Sequence, residues 1–320
     1  MATKKESSGF AKDTLNGLSA PNKFLHPKYF YDEKGSKIFQ EIMHMPEYYL
    51  TRAEQEIFNK QTQHIARELL NGSSPFSVIE LGPGDGLKSK ILLREMNGNT
   101  GNFQYVPVDI SEEALESLSQ AMESEIPDLN IFMKAGDYFH IMKELHNASD
   151  DRKIILFLGS NIGNFMPEEA ASFLSLLTGF LHPGDQALIG FDLKKPAEVV
   201  IPAYDDPGGL TRDFNLNHLS RINRELNADF DLNKFKHRPV YNAESGAMES
   251  YLISLEKQTV NVESLNKTFD FYKGEPIFME LSKKFDLEEI ANLARKFGFR
   301  IQKNFLDSRS YFADSLWKKQ

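Results

Sequence analysis

A glycine-rich turn at the start of a helix is the feature of this sequence that most directly indicates ligand chemistry. Residues 78–81, Val-Ile-Glu-Leu, form a mostly apolar run, and Gly-Pro-Gly-Asp-Gly-Leu-Lys follows them at 82–88. A buried strand that ends in such a turn presents backbone N–H groups to a nucleotide-like ligand. The glycine spacing is G-x-G-x-G, and Leu87 stands where a dinucleotide fingerprint has its third glycine. The turn therefore favours S-adenosylmethionine over NAD.

Two acidic residues further along the chain suit the same kind of ligand. Asp109 ends the next apolar run, where a carboxylate accepts hydrogen bonds from both ribose hydroxyls in a doubly wound sheet. Alternatively, Asp109 belongs to a helix start, because Ser111 and the two glutamates after it form a cap with first-turn acids. Asp137 and Tyr138 follow a third apolar run and could contact adenine, although Gly-Asp is also an ordinary turn.

The composition predicts a globular protein that binds small molecules. The 320 residues are 41% hydrophobic, and the formal net charge of −9 argues against a nucleic-acid-binding surface. No run approaches the ~18 apolar residues of a membrane span, and residues 1–20 lack the apolar core of a signal peptide. We therefore expect no membrane partner and a cytoplasmic location. The oligomeric state is left open, and a monomer is compatible with the sequence.

Several kinds of catalytic site are excluded by the residues present. The chain has no cysteine, which excludes disulfides, thiolate nucleophiles and cysteine-based zinc sites. Its eight histidines are scattered, with no pair at the i, i+4 spacing of a metal-binding helix, and we predict no metal. There is no G-x-S-x-G elbow and no P-loop, so hydrolases and kinases lack their central motifs.

Strands and helices alternate through the middle of the chain. A helix is predicted from Pro167 to about residue 181, because Phe173, Leu174 and Leu177 recur on one face. Alternation of this kind predicts an α/β fold with a mainly parallel, doubly wound sheet. The apolar runs that would form its strands lie at 78–81, 104–108, 131–133, 154–158 and 187–191.

The alternating pattern breaks at Lys194-Lys195-Pro196 and returns near residue 286. The insertion contains a helical stretch and apparent antiparallel strands, such as 248–255. Asp286 and Glu289 then form a capping box before a last helix, and residues 300–306 and 311–316 predict a closing hairpin. We predict a disordered tail at 1–19, a discontinuous domain of 20–65 and 196–285, and a second of 66–195 and 286–320. A cleft between the two bodies is the default binding site.

Several separated motifs resemble the histidine-specific S-adenosylmethionine-dependent methyltransferases, which make Nα-trimethylhistidine in ergothioneine biosynthesis. The resemblance covers nearly the whole chain from about residue 20. It implies a Rossmann-like class I methyltransferase sheet for 66–195 and 286–320, and an α+β substrate-binding domain for the rest. The motifs are Pro-Lys-Tyr-Phe-Tyr-Asp at 27–32, Pro-Glu-Tyr-Tyr at 46–49, Thr-Arg-Ala-Glu at 51–54, Phe-Leu-Gly-Ser-Asn-Ile-Gly-Asn at 157–164, Ala-Tyr-Asp-Asp at 203–206, Asn-Arg-Glu-Leu at 223–226 and Glu-Leu-Ser-Lys-Lys-Phe at 280–285.

The resemblance also implies roles for individual residues. Those at the family's cofactor positions are Gly82, Gly84, Lys88, Asp109, Asp137 and Tyr138, with Lys88 near the methionine carboxylate and Asp109 on the ribose. Those on the substrate side are Tyr31, Phe39, Tyr48, Gly159, Asn164, Tyr204, Ser250, Glu280 and Ser282. Tyr48, Asn164 and Tyr204 would hold the amino acid's backbone groups, while Glu280 and Ser282 would each bond one imidazole nitrogen. Tyr31 or Tyr48 would orient the amine or relay its proton.

The sequence departs from the family at two places. The family's cofactor turn more often has the form G-S-G-T-S-E-K, and Ser250 falls about where bacterial histidine enzymes have a methionine against the imidazole. A wider pocket at Ser250 could admit another amino acid. Two alternatives to a histidine Nα-methyltransferase therefore stay open: an enzyme of the same fold that methylates another amine, and a non-catalytic protein that binds S-adenosylmethionine.

Overall fold

The computed structural model describes residues 4–71, 75–100, 103–146 and 151–320, without the side chains of 4–8, 100 and 146. Its helices are α1 (Lys4–Ser19), α2 (Glu33–His44), α3 (Tyr49–Leu70), α4 (Leu87–Thr100), α5 (Glu112–Glu125), α6 (Tyr138–His146), α7 (Pro167–Phe180), α8 (Ala197–Val200), α9 (Leu210–Leu226) and α10 (Leu287–Lys296). Its strands are β1 (Phe76–Leu81), β2 (Phe103–Asp109), β3 (Asn130–Ile131), β4 (Lys134–Ala135), β5 (Arg152–Phe157), β6 (Gln186–Asp192), β7 (Phe235–Asn242), β8 (Ala247–Ser254), β9 (Gln258–Val262), β10 (Lys267–Phe271), β11 (Pro276–Lys283), β12 (Phe299–Leu306) and β13 (Phe312–Lys319).

The chain divides into two compact units. The first consists of Met1–Tyr49 and Lys195–Lys283, and the second of Leu50–Lys194 and Lys284–Gln320. Each unit therefore has two chain segments. In the part of the chain that the structure describes, none of the helices combines the length and the apolar character that crossing a bilayer requires.

The second unit contains a twisted sheet in the order β12-β13-β6-β5-β1-β2-β3, with β4 also paired to β2. Strands β1, β2, β5 and β6 run parallel, while β13 is antiparallel to β6 and to β12. The central strands are apolar because both faces of the sheet are covered, and their side chains lie in two separate hydrophobic clusters. The predicted α/β fold and its closing hairpin are confirmed.

Loops that follow neighbouring parallel strands meet at one edge of the sheet. Strand β1 lies between β2 and β5, so the turn after Leu81, the turn after Asp109 and the loop after Phe157 leave the same edge. Ligands of doubly wound folds bind at the carboxyl ends of such strands. This arrangement positions the candidate cofactor residues of the second unit.

The first unit combines helices with small antiparallel sheets. Strands β11, β8 and β7 form one sheet, and β9 pairs with β10. The long helix α9 buries Phe214, Leu219, Ile222 and Leu226 in the core of this unit. The predicted helix and the predicted antiparallel strand at 248–255 are thus confirmed, the latter as β8.

The N-terminal segment differs from the prediction of a disordered tail. Residues 4–19 form α1, in which Phe10, Thr14 and Leu18 are at most 2% exposed, and residues 1–3 lie outside the described part. Burying the two apolar side chains contributes about 1.5–3 kcal/mol each, which holds the helix on the first unit. Residues 50–65 also differ from the predicted domain boundary. They lie in α3 and belong to the second unit rather than to the first.

The third predicted strand is interrupted. Instead of one strand over 131–133, the structure has β3 and β4, each of two residues, on either side of Phe132 and Met133. These two apolar side chains are 47% and 41% exposed. The apolar run therefore predicted the correct location of an edge strand but not its interruption. The chain leaves the hydrogen-bonded pairing with β2 between the two short strands.

A buried imidazole in the first unit gives a prediction about acid stability. His218 is fully buried in α9, with its ring centroid 5.4 Å from that of Phe30, and neither nitrogen has a hydrogen-bond partner among the described residues. Burial, and then the charge of Arg221, lowers the pKa of His218 from 6.5 to about 3. The folded state therefore binds fewer protons than the unfolded state, and stability is lost as the pH falls below about 6.5, by about 1.4 kcal/mol per pH unit.

We expect His218→Phe to lose less stability than the wild type as the pH falls, because phenylalanine takes up no proton and fills a similar aromatic site. The measurement is urea unfolding of the two proteins between pH 7 and pH 5. His44→Gln, at an exposed position in the same unit, is the matched control and should keep the wild-type slope. Parallel pH curves for wild type and His218→Phe would contradict the prediction.

Candidate functional site

The glycine turn after β1 leaves backbone accessible where a cofactor would lie. Gly82, Gly84 and Gly86 have φ values of 68°, 59° and 66°, in the left-handed region that side chains disfavour. A β-carbon at Gly82 would stand 2.5 Å from the Tyr138 hydroxyl oxygen, whereas one at Gly84 would meet nothing within 4 Å. The turn is therefore covered by Tyr138 at its first glycine and open at its second.

Asp109 and Asp137 both close tight turns at the ends of their strands. Asp109 Oδ1 accepts a hydrogen bond from the Ser111 N–H at 3.0 Å, and Asp137 Oδ1 accepts one from Phe139 N–H at 2.9 Å. The Ser111 hydroxyl in turn caps α5 by accepting from Ala114 N–H, as the alternative explanation of this segment predicted. A capping role and a ligand role are compatible, because a carboxylate has several lone pairs.

Burial changes the acidity of two groups at this edge. It raises the pKa of Asp109 against the opposing effect of backbone hydrogen bonds from Ser111 and Ile110. It also raises the pKa of Tyr138, as do the negative charges of Asp109 and Asp137. Asp109, Asp137 and Tyr138, each of which follows an apolar run in the sequence, therefore lie close together in the second unit, where Gly136 N–H also donates to the Asp109 carbonyl oxygen at 2.8 Å.

Lys88 is held by a buried carboxylate from another helix. Its Nζ forms a short ion pair with Glu54, a residue of α3 that is 1% exposed, and Glu54 Oε1 also accepts a 2.7 Å hydrogen bond from Gly159 N–H. Burial opposes the charge on Lys88, but Glu54 outweighs it and raises the pKa of the lysine. Lys88 is therefore a fixed cation at the start of α4.

The loop after β5 lies beside both Lys88 and the glycine turn. Gly159 and Ser160 have φ values of 74° and 58°, and the Ser160 hydroxyl accepts a hydrogen bond from Asp192 N–H at 2.9 Å. A β-carbon at Gly159 would stand 3.7 Å from Lys88 Nζ. The loop continues into a 3-10 turn, Asn161–Asn164, in which Asn164 is half-buried. The structure thus brings Gly159 and Lys88 together in the second unit.

In the first unit, the predicted imidazole-binding residues lie on one face of a sheet. Ser250 of β8 is the direct partner of Glu280 in β11, and Ser282 is two residues beyond Glu280. Directly paired residues and residues two apart project to the same face, so the three side chains are neighbours. A β-bulge between Phe278 and Glu280 precedes this group, and bulges re-aim the side chains next to them.

Tyr204 extends this polar group. Its hydroxyl donates a 2.8 Å hydrogen bond to Ser282 Oγ, and both residues are 6% exposed. The Tyr204 carbonyl oxygen lies 2.9 Å from His237 Nε2, in a buried contact that fixes the backbone at this position. The structure therefore brings together Tyr204, Ser250, Glu280 and Ser282.

The remaining substrate-side residues of the first unit form an aromatic group. The ring of Phe39 lies 5.4 Å from that of Tyr31 and 6.2 Å from that of Tyr48, centroid to centroid. Phe214 of α9 completes the group at 5.7 Å from Phe39. Tyr31 is 43% exposed, whereas Phe39 and Tyr48 are half-buried, so the group presents a phenol to solvent beside an apolar wall.

Residues that sequence reasoning missed support the predicted ones. Glu54 was noted within a family motif without a role, and no role was predicted for Phe214 or His237. One signal for Glu54 was present, since it lies on the same helical face as Ile57 and Phe58, which are fully buried. A carboxylate on an apolar stripe needs a buried partner, and Lys88 is that partner.

The geometry of the turn predicts different costs for two glycine substitutions. Gly82→Ala and Gly84→Ala both impose a left-handed conformation on alanine, at about 1–2 kcal/mol each. Gly82→Ala adds the clash with Tyr138, so we expect it to lower the melting temperature several degrees further than Gly84→Ala, the matched control. Equal melting temperatures for the two variants would contradict the close packing of Tyr138 on Gly82.

Comparison with known proteins identifies relatives of this chain. A sequence profile described as "Histidine-specific methyltransferase, SAM-dependent" matches residues 10–319. The "Histidine N-alpha-methyltransferase" of Mycobacterium tuberculosis is 38% identical over 274 residues, 86% of this chain and 84% of that protein. The protein of the same name from Mycolicibacterium smegmatis is 34% identical over 316 residues, 99% of this chain and 97% of that protein.

One solved structure carries the same fold at low identity. The mitomycin 7-O-methyltransferase MmcR superposes with a TM-score of 0.50 at 10% identity, covering 98% of this chain and 68% of that one. This likeness concerns the fold alone. Together, the profile match and the two relatives show that the chain belongs to the family of histidine-specific, S-adenosylmethionine-dependent methyltransferases.

Proposed function

We propose that this enzyme transfers methyl groups from S-adenosylmethionine to the α-amino nitrogen of L-histidine and forms Nα-trimethylhistidine. The observation that carries the proposal is the polar pair of Glu280 and Ser282 on one sheet face of the first unit, with the Tyr204 hydroxyl bonded to Ser282. A carboxylate and a hydroxyl side by side suit the two nitrogens of an imidazole. Two relatives with 34–38% identity are named for the same substrate and nitrogen.

The residues of the second unit fit the cofactor. Bare backbone at Gly84 admits the ligand, Asp109 offers a carboxylate to the ribose hydroxyls, and Lys88 offers a cation to the methionine carboxylate. Asp137 and Tyr138 would contact the adenine. S-adenosylmethionine supplies a methyl group on a sulfonium, which is already a good leaving group, so the protein contributes chiefly orientation and exclusion of water.

Ser282 and Glu280 would each form a hydrogen bond with one nitrogen of the imidazole. Ser282 Oγ accepts a hydrogen bond from the Tyr204 hydroxyl, and the Ser282 hydroxyl would donate to one ring nitrogen when histidine is bound. Glu280 then accepts from the N–H of the other ring nitrogen, and the pair matches a neutral imidazole, which has one donor and one acceptor. Phenylalanine or leucine would leave these buried polar groups unpaired, which is the basis of the proposed specificity.

The amine must be neutral before it is methylated, because an ammonium has no lone pair. We assign the relay of its proton to Tyr31 or Tyr48, beside the rings of Phe39 and Phe214: the phenol oxygen takes up the amine proton while the phenol's own proton passes to water. Tyr204 would hold the carboxylate of the amino acid. Anchoring by the ring and the carboxylate allows the nitrogen to lose its protons without losing its position.

The test is a methyl-transfer assay with labelled S-adenosylmethionine and a panel of amino acids. We expect histidine to yield products with one, two and three added methyl groups, identified by mass spectrometry. Ser250, a small residue opposite Glu280, favours one alternative, an enzyme that accepts a bulkier amino acid. Methylation of another amine with none of histidine would overturn the proposed substrate. No formation of S-adenosylhomocysteine with any amine would instead indicate a binding protein.

A further inference from the structure

The second unit contains a buried cluster of charged groups, of which the proposed function uses only Lys88. It contains Glu54 of α3, Lys88 of α4 and Asp314 of β13, of which Glu54 is 1% and Asp314 0% exposed. Burying ionised groups is costly unless they are paired and hydrogen-bonded. The burial of Glu54 and Asp314 beside the lysine proposed to bind the cofactor is therefore costly unless their neighbours compensate it.

A second buried carboxyl group, that of Asp314, lies beside Glu54. Neither side-chain oxygen of Asp314 has a hydrogen-bond partner within the described residues. Burial, and then the charge of Glu54, raises the pKa of Asp314 well above its usual range.

The sheet makes room for the cluster at one glycine. Gly190 of β6 is the strand partner of Asp314, and a β-carbon at Gly190 would stand 2.9 Å from Glu54 Oε1. Its lack of a side chain lets α3 place the Glu54 carboxylate against the sheet. From there Glu54 reaches Lys88 Nζ with one oxygen and Gly159 N–H with the other.

We propose that Glu54 is a positioning residue for the cofactor: it fixes Lys88 and the Gly159 backbone together, so that the lysine ammonium is held where the methionine carboxylate would lie. The inference rests on the proposed placement of the methionine carboxylate at Lys88.

Other charged groups bear on the same cluster. Glu80 of β1 interacts electrostatically with both Glu54 and Lys88, and it accepts hydrogen bonds from the Ser89 hydroxyl and the Tyr105 hydroxyl, each at 2.5 Å. Burial raises the pKa of Glu80 despite these two hydrogen bonds. Glu80 therefore belongs to the same buried group of charges as Glu54 and Lys88.

The experiment measures binding of S-adenosylhomocysteine by calorimetry, so that it does not depend on turnover. We expect Glu54→Gln to weaken binding about tenfold or more, the loss expected from one charge-assisted hydrogen bond. Gly190→Ala displaces the same carboxylate without changing any charge, and we expect a loss in the same direction. If Glu54→Gln does not fold, the affinity of Gly190→Ala tests the proposal in its place.

Asp185→Asn is the matched control, because Asp185 is also a buried carboxylate of the second unit that accepts backbone N–H groups, those of Lys153 and His182. It should lose stability but keep its affinity for S-adenosylhomocysteine. If Glu54→Gln and Gly190→Ala bind as tightly as this control, the positioning role is wrong.

Lys88→Met separates this inference from the proposed site. If Lys88→Met still binds S-adenosylhomocysteine, the placement of the cofactor carboxylate at Lys88 is wrong. If Lys88→Met loses binding but Glu54→Gln keeps it, only the positioning role of Glu54 is wrong.

Discussion

Asp109→Ala should weaken binding of S-adenosylhomocysteine more than a hundredfold. The carboxylate is proposed to accept hydrogen bonds from two ribose hydroxyls, and losing charge-assisted bonds of this kind costs about 3 kcal/mol in total. Isothermal titration calorimetry at neutral pH measures the change directly. Binding within about threefold of wild type, a difference under about 1 kcal/mol, would remove Asp109 from the cofactor site.

The pH dependence of the same interaction provides a second readout. Burial raises the pKa of Asp109, so its carboxyl takes up a proton at a higher pH than an exposed aspartate. The ribose hydroxyls prefer the charged form, and affinity should therefore be full above the raised pKa and fall as the pH decreases through it. Asp109→Asn should bind weakly at every pH and lack this decline.

The matched control for Asp109→Ala is Ser111→Ala. This variant removes the side-chain cap of α5 but leaves the Asp109 carboxylate and the Ser111 N–H that bonds it. Loss of a cap costs about 1 kcal/mol of stability. A large loss of cofactor affinity in Ser111→Ala would mean that the start of α5, rather than the carboxylate, is what matters.

Local patterns predicted the parts of the site that depend on local geometry. The turn from Gly82 to Lys88 follows a strand and opens a helix, and its glycine spacing has a direct backbone cause, the positive φ values. Asp109 was placed by the same logic, because a strand end is recognisable from the apolar run before it. The doubly wound sheet followed from alternating strands and helices.

Contacts between distant residues could not be predicted in this way. Glu54 bonds Lys88, 34 residues later, and Gly159, 105 residues later. Nothing in the sequence around Glu54 specifies these partners, because strand order and helix packing bring them together. The pairing of Ser250 with Glu280 similarly depends on strand register, and only the resemblance placed both in one pocket.

The N-terminal helix shows how composition can mislead. The polar start of the chain suggested a mobile tail, yet Phe10, Thr14 and Leu18 recur every four residues and are buried on one face of α1. Two large apolar residues in a polar segment give a weak periodic signal. Their burial stabilises the helix only because the first unit supplies apolar partners for them, a condition that local sequence does not contain.

Glu280→Ala should weaken histidine binding about a hundredfold while leaving binding of S-adenosylhomocysteine nearly unchanged. The proposed charge-assisted bond to the ring N–H is worth about 1.5–3 kcal/mol, and its loss leaves the imidazole donor unpaired. Calorimetry with histidine, in the presence of saturating S-adenosylhomocysteine, separates the two ligands.

The amino acid selectivity of the same variant distinguishes recognition of the ring from general damage. Glu280→Ala should lose affinity for histidine but not for an apolar amino acid such as phenylalanine, because the unpaired polar group that rejects phenylalanine is gone. Glu249→Ala, which changes a half-buried carboxylate of the neighbouring strand β8 that bonds the Tyr251 hydroxyl at 2.7 Å, is the matched control. Equal losses for histidine and phenylalanine, or an equal loss in Glu249→Ala, would show that Glu280 supports the sheet rather than the imidazole.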